Sequence, residues 1–149
     1  MRKHRACVLL LSVAVLAGCE RDPMECVPVV RGGWVRSAPP GMPMAAGFGE
    51  IVNACGAPVT ITGATSPAFG DVSLHETTDV DGVSRMRAVP ALEVPADGAT
   101  RLAPGGLHLM LSEPAADIAP GDRVVIDLAL GDGRTLRGEF EVRPRPAAR

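Results

Sequence analysis

The chain has 149 residues, of which 46% are hydrophobic and only 3% aromatic, with 15 basic and 17 acidic side chains. The net charge is −2, and it falls to about −5 if the first 18 residues and their three basic side chains are removed, which argues against nucleic acid as a partner. The remaining length is enough for one domain with a modest core.

The N-terminal segment is typical of a secretory signal. Residues 1–5 carry three positive charges, and residues 6–17 are apolar except for one serine, a run too short to span a bilayer comfortably. The segment ends Leu-Ala-Gly-Cys, which resembles the lipobox of bacterial lipoproteins, whose cysteine is lipidated and becomes the first residue. We therefore expect a signal peptide at 1–18, a lipid anchor at Cys19 and a short linker at 19–26. The expected location is periplasmic, on a bacterial membrane; an ordinary signal with an incidental cysteine is the alternative.

Two cysteines remain after the leader and the anchor are set aside. Cys7 leaves with the leader, so Cys26 and Cys55 form an even pair in an oxidising compartment. A disulfide is the natural interpretation, and closing a loop of about 30 residues would contribute roughly 3 to 4 kcal/mol in the chain-entropy model. A redox or metal-binding pair is the alternative, but the spacing is unlike C-x-x-C.

From residue 27 onward, glycine, proline and short alternating runs recur without helical periodicity over three turns. The alternation predicts strands at 27–36, 45–53, 59–65, 72–78, 83–89, 107–111, 124–130 and 136–142, with short pieces near Leu92 and Leu102. The stretches 124–130 and 136–142 should form a hairpin. Its inward residues would be Val124, Ile126, Leu128, Leu130, Leu136, Phe140 and Val142. The prediction is an all-β Greek-key sandwich or barrel at 27–143, with a disordered tail at 144–149.

Four residues in the second half of the domain are candidate ligands for a soft metal. His75 is followed after ten residues by Met86, which is followed after 21 by His108, and Met110 lies two positions further on. A thioether is a poor ligand for hard ions but a good one for Cu(I), which imidazole also binds. The pattern therefore indicates an exported Cu(I) site.

Strand alternation places these candidates together. The leucines at 107, 109 and 111 would face the core, which sends His108 and Met110 outward to solvent. A two-residue turn at 81–82 would pair Thr77 with Met86, and Met86 would then share a face with His75 as a diagonal neighbour. A three-residue loop would flip this register.

Other function classes find less support. Only two histidines remain beyond the leader, with no HExxH spacing for a zinc hydrolase and no G-x-S-x-G for a serine hydrolase, so we expect no enzyme. Met42 and Met44 could extend the soft surface or simply pack. The rival function is a non-catalytic β-sandwich lipoprotein that acts as a protein-binding scaffold, with the methionines as its contact surface.

The motif H-x10-M-x21-H-x-M resembles the signature of the periplasmic Cu(A) copper chaperones, PCu(A)C. Its surroundings agree: Gly-Trp-Val-Arg at 33–36, Leu-His-Glu-Thr at 74–77 and Pro-Gly-Gly-Leu-His-Leu-Met at 104–110. The resemblance implies a cupredoxin-like fold that binds one Cu(I) per domain through His75, Met86, His108 and Met110. It also implies delivery to the Cu(A) subunit of a haem-copper oxidase, in concert with Sco-type thioredoxin-like proteins. A related copper client, or copper buffering without a client, would use the same site.

Overall fold

The computed structural model describes residues 26–38 and 41–145, and this part of the chain contains ten strands and no helix. The strands are β1 (Val29–Arg36), β2 (Met44–Asn53), β3 (Val59–Ser66), β4 (Phe69–Val80), β5 (Val83–Ala88), β6 (Leu92–Val94), β7 (Gly98–Leu102), β8 (Leu107–Pro114), β9 (Arg123–Leu130) and β10 (Thr135–Arg143). Each predicted stretch of alternation overlaps one of them, and the ends differ by at most three residues. The all-β prediction is confirmed.

Seven of the strands close into a barrel. The ring runs β4, β8, β2, β1, β10, β9, β3 and returns to β4, while β5, β6 and β7 attach outside it to β4, β3 and β2. Neighbours in the ring are antiparallel except β1 and β10, which are parallel. Closure leaves the ring without an unpaired edge, and the peripheral β5 is an edge strand.

The barrel interior is filled by one face of each strand. On β10 every second residue is buried, and the inward residues predicted for the last hairpin are all 3% exposed or less. The core residues are aliphatic except for two phenylalanines, Phe69 and Phe140, and no described methionine is among them. The four candidate ligands are not among these core residues. They lie on the outer face of the barrel, where they can form a site without disturbing the core.

A disulfide joins Cys26, just before β1, to Cys55 in the loop after β2, as the cysteine count predicts. The same loop is organised by Asn53, which is fully buried. Its side-chain amide donates to the carbonyl oxygens of Ala57 and Pro95, and its Oδ1 accepts a hydrogen bond from the Cys55 amide. Covalent and polar contacts thus fix this end of the barrel.

The signal peptide at 1–18, Cys19 and residues 146–149 of the predicted tail lie outside the described residues. Within the described ranges, no helix is long and apolar enough to cross a membrane.

Candidate metal centre

The two candidate histidines face each other across a pair of neighbouring strands. In the antiparallel ladder between β4 and β8, His75 is the direct partner of His108, and their ring centroids are 6.0 Å apart. Leu74 and Leu109, also direct partners, are 5% and 0% exposed and point into the core. Because strand side chains alternate, both imidazoles lie on the outer face of the barrel.

The two candidate methionines lie beside the histidines on that face. On β8, Met110 is opposite Ser73 of β4, and each lies two residues from the histidine on its own strand. On β5, Met86 is opposite Thr77, so it is a diagonal neighbour of His75. The register predicted for this hairpin is confirmed, and the four candidates occupy one patch on three adjacent strands.

The turn between β4 and β5 sets this register. Val80 pairs with Val83, and the two residues between them, Asp81 and Gly82, have φ angles of 55° and 77°. Positive φ at both central positions is typical of the type I′ hairpin turn, which favours Asp-Gly. Asp79 supports the turn because its Oδ1 accepts a hydrogen bond of 2.9 Å from the Gly82 amide.

His108 is buried, contrary to the prediction that it faces solvent. Only 5% of its surface is exposed, and the ring of Phe48 on β2 lies beside it at a centroid distance of 6.3 Å. Its Nδ1 lies 2.9 Å from the carbonyl oxygen of Gly106. A carbonyl only accepts, so Nδ1 carries the hydrogen of this contact and, in the neutral ring, Nε2 keeps its lone pair. Metal-binding histidines are commonly oriented in this way.

His75 has an unsatisfied nitrogen. Its Nε2 lies 3.2 Å from the hydroxyl of Ser73, whereas its Nδ1 is the one buried side-chain nitrogen or oxygen in the described part of the chain without a hydrogen-bond partner. Buried polar groups are nearly always paired, so an orphan requires an explanation. A ligand bound at Nδ1 would satisfy it, provided that Nε2 holds the hydrogen and donates to Ser73.

A cavity of about 210 Å³ opens on the same face. Its lining includes His108, Met110 and Met86, together with Met42 and Met44. His75 is not among the lining residues, but it is the direct strand partner of His108, which is. The structure therefore brings together the four candidate ligands and the two additional methionines.

The cavity wall suits a soft ion of low charge. Among the described residues that line the cavity there is no Asp or Glu. Arg36 and Arg145 are the charged residues of this lining. Nor do the described ranges hold a group of three or more His, Cys, Asp or Glu that could bind a metal ion. Hard cations such as Ca²⁺ and Mg²⁺ require oxygen ligands, so the donors here favour a soft cation.

Aromatic rings support the centre from the side of β1. Trp34 packs on Phe48 with ring centroids 4.6 Å apart, and the guanidinium of Arg36 lies 5.2 Å from the Phe48 centroid. Phe48, Ser73 and the Gly106 carbonyl are contacts of the histidines that the motif did not identify. Alternation could have found two of them, since Phe48 shares its face with Met44, and Ser73 shares its face with His75.

Residues 29–142 match the family described as "Putative lipoprotein LpqE-like". A relative from Leifsonia xyli subsp. xyli, described as "Putative lipoprotein Lxx21020", is 36% identical over 107 residues, which are 71% of this chain and 63% of that protein. The match thus spans less than two thirds of the relative's length.

Solved structures share the fold. The copper-bound PCuAC domain from PmoF2 has a TM-score of 0.64 at 19% identity, covering 78% of this chain and 92% of that one. DR1885 from Deinococcus radiodurans has TM-scores of 0.61 in its apo form and 0.64 in its Cu(I) form. The apo form is 30% identical, and its alignment covers 100% of this chain and 97% of that structure. The Cu(I) form is 29% identical, and its alignment covers 84% of this chain and 85% of that structure. The chain therefore belongs to the LpqE-like family of lipoproteins, and its domain is of the PCuAC type.

Proposed function

We propose that this domain is a copper carrier that binds one Cu(I) through His75, Met86, His108 and Met110. The observation that supports this most strongly is the direct pairing of His75 with His108 across two strands, with both methionines beside them on the same face. The orphaned Nδ1 of His75 and the lack of carboxylates among the described residues of the cavity wall support the same proposal. DR1885, whose structure was solved with Cu(I), is 29% identical to this chain.

The donors suit transport of copper rather than catalysis. Both described cysteines are in the disulfide, so this centre has imidazole and thioether ligands but no thiolate. Soft thiolates bind Cu(I) more tightly than thioethers, so the ion would move downhill to a client site that contains cysteine. Met86 is 57% exposed, which leaves one ligand open to an approaching client. The protein would thus act without performing an enzymatic reaction.

The client that we propose is the Cu(A) subunit of a haem-copper oxidase, with Sco-type thioredoxin-like proteins acting in the same assembly. Lipidation at Cys19 would hold the carrier on the periplasmic side of a bacterial membrane, close to a membrane-bound client. A carrier should transfer Cu(I) to a purified apo Cu(A) domain, and the copper should then be recovered with that domain. Retention of the copper by a chain that binds it tightly would indicate a buffer without this client.

Anaerobic competition against a chromophoric Cu(I) chelator tests the site itself. The parent should withdraw one equivalent of Cu(I), and the double variant His108→Gln, Met110→Leu should withdraw none while keeping its β-type circular dichroism. Ser112→Ala is the matched control, because Ser112 is half-buried on the same face of β8, two residues beyond Met110. Failure of the parent to compete would refute the proposal and favour a protein-binding scaffold.

A further inference from the structure

All methionines in the described part of the chain line one cavity. Met42, Met44, Met86 and Met110 contribute to its wall, and none of them is buried. The first three are 48%, 41% and 57% exposed, respectively, and Met110 is half-buried. Methionine is normally a core residue that fills gaps, yet the described methionines here are all outside the barrel core. Packing in the barrel core does not account for their convergence.

Two of these methionines have no role in the proposed ligand set. Met44 opens β2 and pairs with Ser112, two positions from Ala46, the partner of Met110. Met44 and Met110 are therefore diagonal neighbours on one face, within reach of long side chains. Met42 lies just before β2 and lines the same cavity.

We propose that Met42 and Met44 form a second, weaker Cu(I) site at the mouth of the cavity, through which the ion reaches and leaves the His75 and His108 centre. This inference rests on the proposed function. Thioethers are suitable ligands for Cu(I). Met110 is a diagonal neighbour of Met44, and Met42 lines the same cavity, so the ion would exchange one ligand at a time without becoming bare.

The charges at this cavity favour transit over storage. Arg36 and Arg145 line the wall, and each guanidinium repels a bound cation. With thioethers and no imidazole of its own, the mouth site has fewer strong donors than the centre. An ion there should be held briefly, whereas the centre, with two imidazoles, should hold it longer.

The test is an anaerobic Cu(I) titration of the full chain labelled with ¹³C at the methionine methyl groups. Single Met→Leu variants assign the resonances. The methyls of Met86 and Met110 should shift with the first equivalent of Cu(I), and those of Met42 and Met44 should shift with the second. Absence of any shift at Met42 and Met44 through two equivalents would overturn the mouth site but leave the proposed function standing. Absence of every shift would overturn both.

A control variant distinguishes a specific Cu(I) site from nonspecific binding of Cu(I) by exposed thioethers. Val83 is 57% exposed, the same as Met86, and lies on the same hairpin but outside the lining of the cavity. In the Val83→Met variant, the methyl of the new side chain should stay unshifted while Met42 and Met44 respond to the second equivalent. Equal responses at all three positions would overturn the proposal.

Kinetics give an independent test. The double variant Met42→Leu, Met44→Leu preserves apolar volume and should keep the affinity for the first equivalent. Its transfer of Cu(I) to a chelator should slow by about tenfold, the effect of a modest rise in one barrier. Unchanged transfer would show that the two thioethers only cover the cavity. Loss of the first equivalent would instead place them among the primary ligands and overturn the two-site arrangement.

Discussion

Met110 and Leu111 are adjacent on β8 but point in opposite directions, which allows copper binding and folding to be perturbed separately. Met110 is half-buried at the cavity, whereas Leu111 is 0% exposed in the core. The substitution Met110→Leu keeps an apolar side chain of similar volume and removes the sulfur. Such swaps usually cost less than about 1.5 kcal/mol of folding stability. The cost here should be lower still, because the side chain is only half-buried.

The effect on copper should be much larger. Leucine has no donor atom in place of the thioether sulfur, so we expect the Cu(I) affinity of Met110→Leu to fall by about 100-fold or more, or roughly 3 kcal/mol. Leu111→Ala should show the opposite pattern. It should lower the free energy of unfolding by about 2 to 5 kcal/mol, and Tm by roughly 8 to 20 °C, with little change in affinity while the protein is folded.

Urea unfolding and anaerobic chelator competition on both variants measure the two quantities. The assignment of Met110 as a ligand is refuted if Met110→Leu binds Cu(I) as the parent does. It is equally refuted if Met110→Leu loses as much stability as Leu111→Ala, because the methionine would then be a packing residue.

Three further predictions concern the scaffold. Replacing Cys26 and Cys55 by Ser should lower the free energy of unfolding by roughly 3 to 4 kcal/mol, since the disulfide closes a loop with a sequence separation of 29. Calorimetry of the oxidised parent and the variant measures this difference. An unchanged Tm would contradict it. Arg137 donates two hydrogen bonds to Asp127 and lowers the pKa of that carboxyl. The pair should therefore stabilise the fold above the ordinary aspartate pKa of about 3.9 and lose this effect as pH falls through the lowered value. Asp127→Asn should show a smaller loss of urea midpoint between about pH 6 and pH 2 than the parent does, and an identical loss would contradict the assignment. Gly82→Ala should lower the free energy of unfolding, measured in urea, by about 1 to 2 kcal/mol. The cost arises from the backbone alone, because φ is +77° and no atom lies near enough to clash with the added Cβ. A neutral result would contradict this and show that the turn relaxes.

Local chemistry made much of this structure predictable. Alternation identified the strands because one face of each packs into the barrel, and the Asp-Gly turn determined the Thr77 and Met86 register because positive φ at both positions specifies a two-residue turn. The face that carries His108 and Met110 followed from the three leucines around them.

Contacts between distant parts of the chain were not predictable in this way. Nothing in either strand specifies that β4 pairs with β8, so the direct opposition of His75 and His108 emerged only from the closed barrel. The ring that lies beside His108 is that of Phe48, which belongs to a third strand. Period-2 patterns give the face of a strand, whereas neighbouring strands are selected by the packing of the whole domain.

X-ray absorption at the copper edge identifies the ligands of the His75 and His108 centre, in the chain loaded anaerobically with one equivalent of Cu(I). At one equivalent of Cu(I) per chain, we expect two nitrogen scatterers of imidazole type and two sulfur scatterers. Met86→Leu should remove one sulfur and leave both nitrogens. A spectrum without sulfur, or one that Met86→Leu and Met110→Leu both leave unchanged, would contradict this ligand set.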